Sequence, residues 1–246
     1  MRLVETKRER GAADIAEWQA RVDLAAAHRL AVTHGFSEGI FNHFTLAVPG
    51  RDDRYYQIPF GLHWSEVTAS VLMEVGYDGA VLSGAGEVEA SAFCIHAPIH
   101  RLIAKHACVL HTHMPFATAL TLLDGGRLLM ASQNALRFHN QVAYEDAYNG
   151  LVLDGAEAQR VAARLVDASV LFLAHHGVIV RGPSVAWAFD DLYYLERACM
   201  LQVLAQGTGR PLRTIPEHVV ERTARQMAGE RQQSDLFLKA LRRMFP

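Results

Sequence analysis

"VLHTHMPFATAL", residues 109–120, sets two imidazoles into an otherwise apolar run. Read as a strand, it puts His111 and His113 on the same side, because side chains alternate with period two. Pro115 then suits the first position of a helix over 115–123, where its missing N–H is not needed. Two readings of the rings follow: a pair of hydrogen-bonded core histidines, or half of a metal site.

A second apolar run, "LFLAHHGVIV" (171–180), is interrupted by His175 and His176. Two separate apolar strands that both carry histidine are expected to converge. Three imidazoles around one ion, with a position left open for substrate, is the arrangement of a catalytic divalent site.

Around these runs the periodicity predicts mixed helices and strands. Helices are expected over 13–34 with Gly35 as the stop, over 90–106 with a kink at Pro98, over 155–167, and over 183–206. Strands are expected over 41–49 and 55–60, joined through "GRDDR". Residues 65–75 read as a short helix capped by Ser65 and running into a strand, and 169–182 as one buried strand with a polar interruption. The tail after Gly207 ends in a further helical stretch. "SGAGEVE" (83–89) misses the spacing of a dinucleotide loop. The class is α/β or α+β. No repeat, low-complexity tract or linker divides the 246 residues, so one domain over 1–246 is expected.

Hydrophobic residues make up 50% and charged residues 20%, as in a compact globular chain. The net charge of −2 supplies no basic field for nucleic acid or an anionic membrane surface. Cys94, Cys108 and Cys199 form neither a disulfide framework nor a zinc-thiolate spacing, which fits a reducing compartment. The charged N-terminus lacks an apolar signal core, and no apolar run reaches the roughly 18 residues of a bilayer span. A cytoplasmic protein acting on small molecules, without nucleic acid or membrane partners, is the expectation.

"FNHFTLAV" (41–48), "IPFGLHWSEVTAS" (58–70), "FCIHAPIHRLIAKHACVLHTHMPFATAL" (93–120) and "AHHGVIVRGPSVAWAFDDLYYLERAC" (174–199) share their order and spacing with the class II aldolase/adducin family. The resemblance runs from about Ala25 to Ala205, with 207–246 as a helical tail. It implies a three-layer α/β/α domain around a central, mostly antiparallel sheet, in a homotetramer with active sites at subunit interfaces. It also implies a divalent metal, zinc first and manganese or iron as alternatives, on His111, His113 and His176. His175 stands where the family often has Asn and is read as a supporting or structural residue.

The departures bear on the reaction. The family's sugar-phosphate aldolases carry an acid/base Glu at the start of the helix before His-x-His; the position here is Ala92. Glu87 and Glu89 lie just upstream and read as a solvated loop, able to substitute only if that loop folds in. The Thr-Gly turn and Ser-Ser pair that bind phosphate in those aldolases are here Phe60-Gly61 and Ala90-Ser91. A dianion would find few donors there. His43 replaces an Asn of the substrate loop. These changes, with "IPFGLHWSEVTAS", resemble the adducin-like branch, which includes metal-free adducin heads, decarboxylases of hydroxylated aromatic acids, and an iron-dependent oxygenase group.

The resemblance therefore implies a divalent-metal-dependent carbon–carbon lyase acting on a small non-phosphorylated hydroxy or oxo acid or an aromatic carboxylate. The chemistry would be aldol cleavage or decarboxylation through a metal-bound enolate. An adducin-like non-catalytic binding module and an iron-dependent oxygenase are the alternatives. His43, Gln133 and Tyr144 are the candidate substrate contacts, Gln133 lying near where the aldolases bring in a tyrosine from a neighbouring subunit. Trp187, Tyr193 and Tyr194 on the long helix suit either a subunit interface or the core.

Overall fold

The computed structural model describes residues 11–103 and 107–244. The chain opens with α1 (Ala12–His34), which ends at Gly35 with φ 73°, the left-handed conformation that stops a helix. Then come β1 (His43–Ala47), β2 (Arg54–Gln57), β3 (Met73–Gly76), β4 (Val81–Ser83), α2 (Ala90–Leu102), β5 (Cys108–Thr112) and α3 (Pro115–Thr121). The second half holds β6 (Val142–Glu145), α4 (Gly155–Arg164), β7 (Val170–Leu173), β8 (Gly177–Gly182), α5 (Val185–Gln206), α6 (Glu217–Gly229) and α7 (Gln233–Met244).

The strands form one eight-stranded sheet in the order β4-β3-β2-β1-β5-β8-β7-β6. Every pair is antiparallel except β6 with β7. All five residues of β5 are buried, as expected of a strand covered on both faces. Cys108 and Leu110 pack on one side with Leu24 of α1, Ala117 of α3 and Leu195 of α5. Val109 packs on the other with Ile95 and Ile99 of α2 and Val161 of α4. The result is three layers, α/β/α, as the family resemblance implies.

Several expectations change. Residues 169–182 are not one strand but the antiparallel hairpin β7–β8, since His175 adopts φ 56° and reverses the chain. Residues 65–75 hold no α-helix. A 3₁₀ turn spans Trp64–Glu66, its cap is the His63 side chain rather than Ser65, and only Met73–Gly76 is strand. The buried Trp64 anchors this turn against the core, and the chain beyond it is spent on bends. The tail carries two helices, α6 and α7. The charged first ten residues and the far end of the 90–106 stretch, at 104–106, lie outside the described residues.

Candidate metal centre

β5 delivers His111 one residue before its end and His113 one residue after it. The turn between β7 and β8 delivers His176. The ring centroids lie 5.1 Å apart for His111–His113 and 4.8 Å for each of His111–His176 and His113–His176. One donor nitrogen from each ring can be chosen so that all three lie within 4.8 Å of one another. Two zinc–nitrogen bonds of about 2.0–2.1 Å reach about 4.2 Å at most, so the rings would close in to share one ion. His175 is exposed and outside this group; its left-handed backbone is one that Asn tolerates better than most residues.

Glycine after His176 is required by close packing. A Cβ on Gly177 would stand 2.5 Å from the Thr112 carbonyl oxygen and 2.8 Å from Cδ2 of His113. The two ligand-bearing segments can approach this closely only because one of them has no side chain at that point.

The outer nitrogens of two rings are engaged. His111 Nδ1 donates to the Val178 carbonyl at 3.0 Å, leaving Nε2 as its free lone pair. His113 Nδ1 meets the Glu38 carboxylate, and its Nε2 is buried with no hydrogen-bond partner. A carboxylate or carbonyl behind an imidazole, fixing its tautomer, is the usual support of a metal-ligating histidine. Burial, reinforced by the neighbouring imidazoles, holds His111 well below the ordinary histidine range and pushes His176 down to about 4. These two rings are thus neutral near pH 7, the form that binds a cation. The donor set and the orphaned nitrogen of His113 fit a divalent ion.

His43 sits directly across from His111 on β1, with the rings stacked at 5.5 Å. Its Nε2 lies 3.0 Å from Oε2 of Glu89, and its Nδ1 is buried without a partner. Glu89 is therefore only partly exposed, its carboxylate turned to donors of the chain itself. It is the N-cap of α2, and Oε2 accepts from the Ala92 N–H and the Ser91 hydroxyl, both at 2.6 Å. Burial alone would raise its pKa, but bonds from His43, Ser91 and the Ala92 and Ser91 N–H groups prevail and hold it at about 2. Glu87 is exposed. The loop has folded in for one of the two carboxylates.

Behind His43, Thr45 Oγ1 lies 2.6 Å from His96 Nδ1 and 2.8 Å from His100 Nε2, so one buried hydroxyl ties two histidines of α2 to β1. Gln133 is exposed on the loop before a 3₁₀ turn at Ala135–Phe138. Tyr144 lies on the edge strand β6, stacked on Phe172 at 5.3 Å, with its hydroxyl accepting from the Leu128 N–H at 3.0 Å. Among the described residues no hydrogen bond, ion pair or ring contact joins either to the triad. Glu38 went unread in the sequence, and Glu89 was read as solvent-facing. Only the cap position three residues before Ala92 could have signalled Glu89.

The fold and this site define a class. The chain matches the class II aldolase and adducin N-terminal domain family over residues 22–203. It is 38% identical to a Pseudomonas aeruginosa protein named for its likeness to class 2 aldolases, over 87% of this chain and 82% of that one. It is 31% identical to decarboxylase NovR of Streptomyces niveus, over 84% of this chain and 78% of that one. The crystal structure of an aldolase II superfamily protein from Pseudomonas syringae superposes with a TM-score of 0.85 at 35% identity, covering 94% of each chain. The chain belongs to the class II aldolase/adducin family.

Proposed function

We propose that the protein is a divalent-metal-dependent lyase that cleaves a carbon–carbon bond in a small, non-phosphorylated hydroxy or oxo acid or an aromatic carboxylate. His111, His113 and His176 would hold the ion, with zinc, manganese and iron as the candidates. Once bound, the ion would act as a Lewis acid on a chelating oxygen of the substrate.

The observation that carries the substrate class is the placement of Glu89. A free helix N-terminus with nearby hydroxyls is a site for phosphate. At α2 the Ala92 N–H and the Ser91 hydroxyl are already taken by a carboxylate from the chain itself. A sugar phosphate would meet that negative charge where it needs donors. A substrate with a single carboxylate has no such requirement.

The same residue answers the loss of the family's acid/base glutamate at Ala92. Glu89 anchors Nε2 of His43, as a carboxylate orients the imidazole of a proton-transfer pair. His43 then holds or moves the proton, and Glu89 fixes its orientation. Decarboxylation, the activity named for the Streptomyces niveus relative, asks less of this pair than aldol cleavage does, since no substrate hydroxyl must be deprotonated.

Ala92 favours a second reading, a binding module without catalysis like the adducins of the family. Metal analysis separates the two. The purified protein should carry about one equivalent of divalent metal, lost in His176→Ala, and should release carbon dioxide or an aldehyde from a panel of hydroxy and oxo acids. Glu89→Gln should keep the metal and lower kcat by about 10²–10⁴-fold. Metal that persists in His176→Ala, or no metal under any loading, would remove the lyase reading.

A further inference from the structure

Far from the triad, beyond the other end of β8, a cleft of about 410 Å³ opens between the start of α5, one side of α6 and the rim of the sheet. From Gly177 to Arg181 the strand covers roughly 13 Å at about 3.3 Å per residue. Arg137, Arg181 and Arg231 all line the cleft.

Two of these guanidinium groups are neutralised. Arg231 donates to both carboxylate oxygens of Asp191 at 2.5 and 2.6 Å, and Arg137 pairs with Asp190. Asp190 and Asp191 are buried, and Asp190 also accepts from the Ser234 hydroxyl at 2.8 Å. The third group is different. Arg181 is only 4% exposed, yet no carboxylate lies within ion-pair distance among the described residues. Its Nε donates to the Ala168 carbonyl at 2.6 Å, and Nη2 to those of Leu165 and Val166 at 2.6 and 3.0 Å. Its Nη1 has no partner at all.

A buried guanidinium without a counter-ion is costly, and the carbonyls after α4 offset only part of that cost. Burial accordingly pulls the Arg181 pKa down, against the pull of the distant Asp167. The cleft is left with one surplus positive charge. Trp187, Ala224 and Met227 form an apolar stretch of its remaining wall, beside the polar His139, Gln141 and Ser169. Asp191 also lines it, which disfavours a dianion such as inorganic phosphate.

The geometry points to a second ligand site here, taking a small monocarboxylate whose compact apolar body lies against Trp187 and α6 while its anion answers the charge of Arg181. The site is separate from the triad and stands whether or not the triad binds metal.

Calorimetry with cyclohexanecarboxylate tests it, using the full chain in chelator and carrying His176→Ala so that carboxylate binding at the triad is closed off. One equivalent should bind, and the neutral cyclohexanecarboxamide should not. Ala224→Phe, which fills the apolar wall and leaves every charge in place, should weaken binding by at least about tenfold. Ala228→Phe, on an exposed turn of α6 lining the same cleft, gives the same reading without touching the packed side. In the His176→Ala protein, the Trp187 indole N–H resonance should shift on titration. No heat with the carboxylate, equal heat with the amide, or unchanged affinity in both Phe variants would overturn the site.

Discussion

Glu38 reaches His113 from an exposed stretch ahead of β1, across 75 positions of sequence. Because its carboxylate takes Nδ1, the ring presents Nε2 inward, and the ligand geometry depends on an exposed residue whose carbonyl accepts from the Phe41 N–H at 3.0 Å. Glu38→Gln keeps the size and loses the charge, so metal affinity should fall about 10–100-fold with the melting temperature of the chelated protein unchanged. A competition titration with a zinc chelator measures the first, and a thermal scan the second. This residue also marks the limit of local reading. His111 and His113 were legible because period two alone sets them on one face, and His176 because it interrupts an apolar run. Glu38 and Glu89 were not, since nothing nearby in sequence says which distant imidazole an acidic loop residue will meet.

Among the elements, the helices were the more legible. The helical spacing that stops at Gly35 is a local signal with a local outcome, whereas the helix expected from Pro183 starts at Val185, where the Ser184 hydroxyl accepts from the Trp187 N–H at 3.3 Å. The β7–β8 hairpin was hidden because its turn holds two histidines and no glycine before Gly177, so a left-handed residue passed for a strand residue. β6 takes its place at the sheet edge from β7, which lies on the far side of α4 in sequence, so its pairing is a long-range outcome. α1 itself carries a pH sensor. His28 is fully buried between Phe44 and Trp64, at ring distances of 5.1 and 4.9 Å, and Nδ1 has only the Leu24 carbonyl. Burial pushes it down to about 4, outweighing that bond. The unfolded ring takes a proton near pH 6.5 and the folded one resists until about 4. Stability is thus complete above pH 6.5 and declines as the pH falls through that window, by about 3 kcal/mol from this group. In urea unfolding at pH 7.5 and pH 4.5, His28→Leu should lose markedly less stability between the two than the wild type does.

Taken whole, the molecule assembles its candidate site from four places: the loop before β1, β1 with the α2 cap, the end of β5, and the β7–β8 turn. An ion on the triad would bind the folded chain and not the unfolded one. Saturating zinc at about a thousandfold above its dissociation constant should then add about 4 kcal/mol to folding, visible as a higher melting temperature that a chelator abolishes. His176→Ala should melt at the same temperature with and without zinc. The α/β/α layering was legible through the family resemblance. The charge balance of the Arg137–Arg181–Arg231 cleft was not, because it depends on which arginine finds an aspartate.

The residue-by-residue match of β5 to β8, with His111 opposite Ile179, has one more effect. A slip of a single position there would turn His111 and His113 toward the opposite layer and away from His176, since neighbouring side chains of a strand face opposite ways. Cation capture would thus discriminate between correctly and incorrectly aligned sheets, letting the ion proofread how the central strands pair as the chain folds.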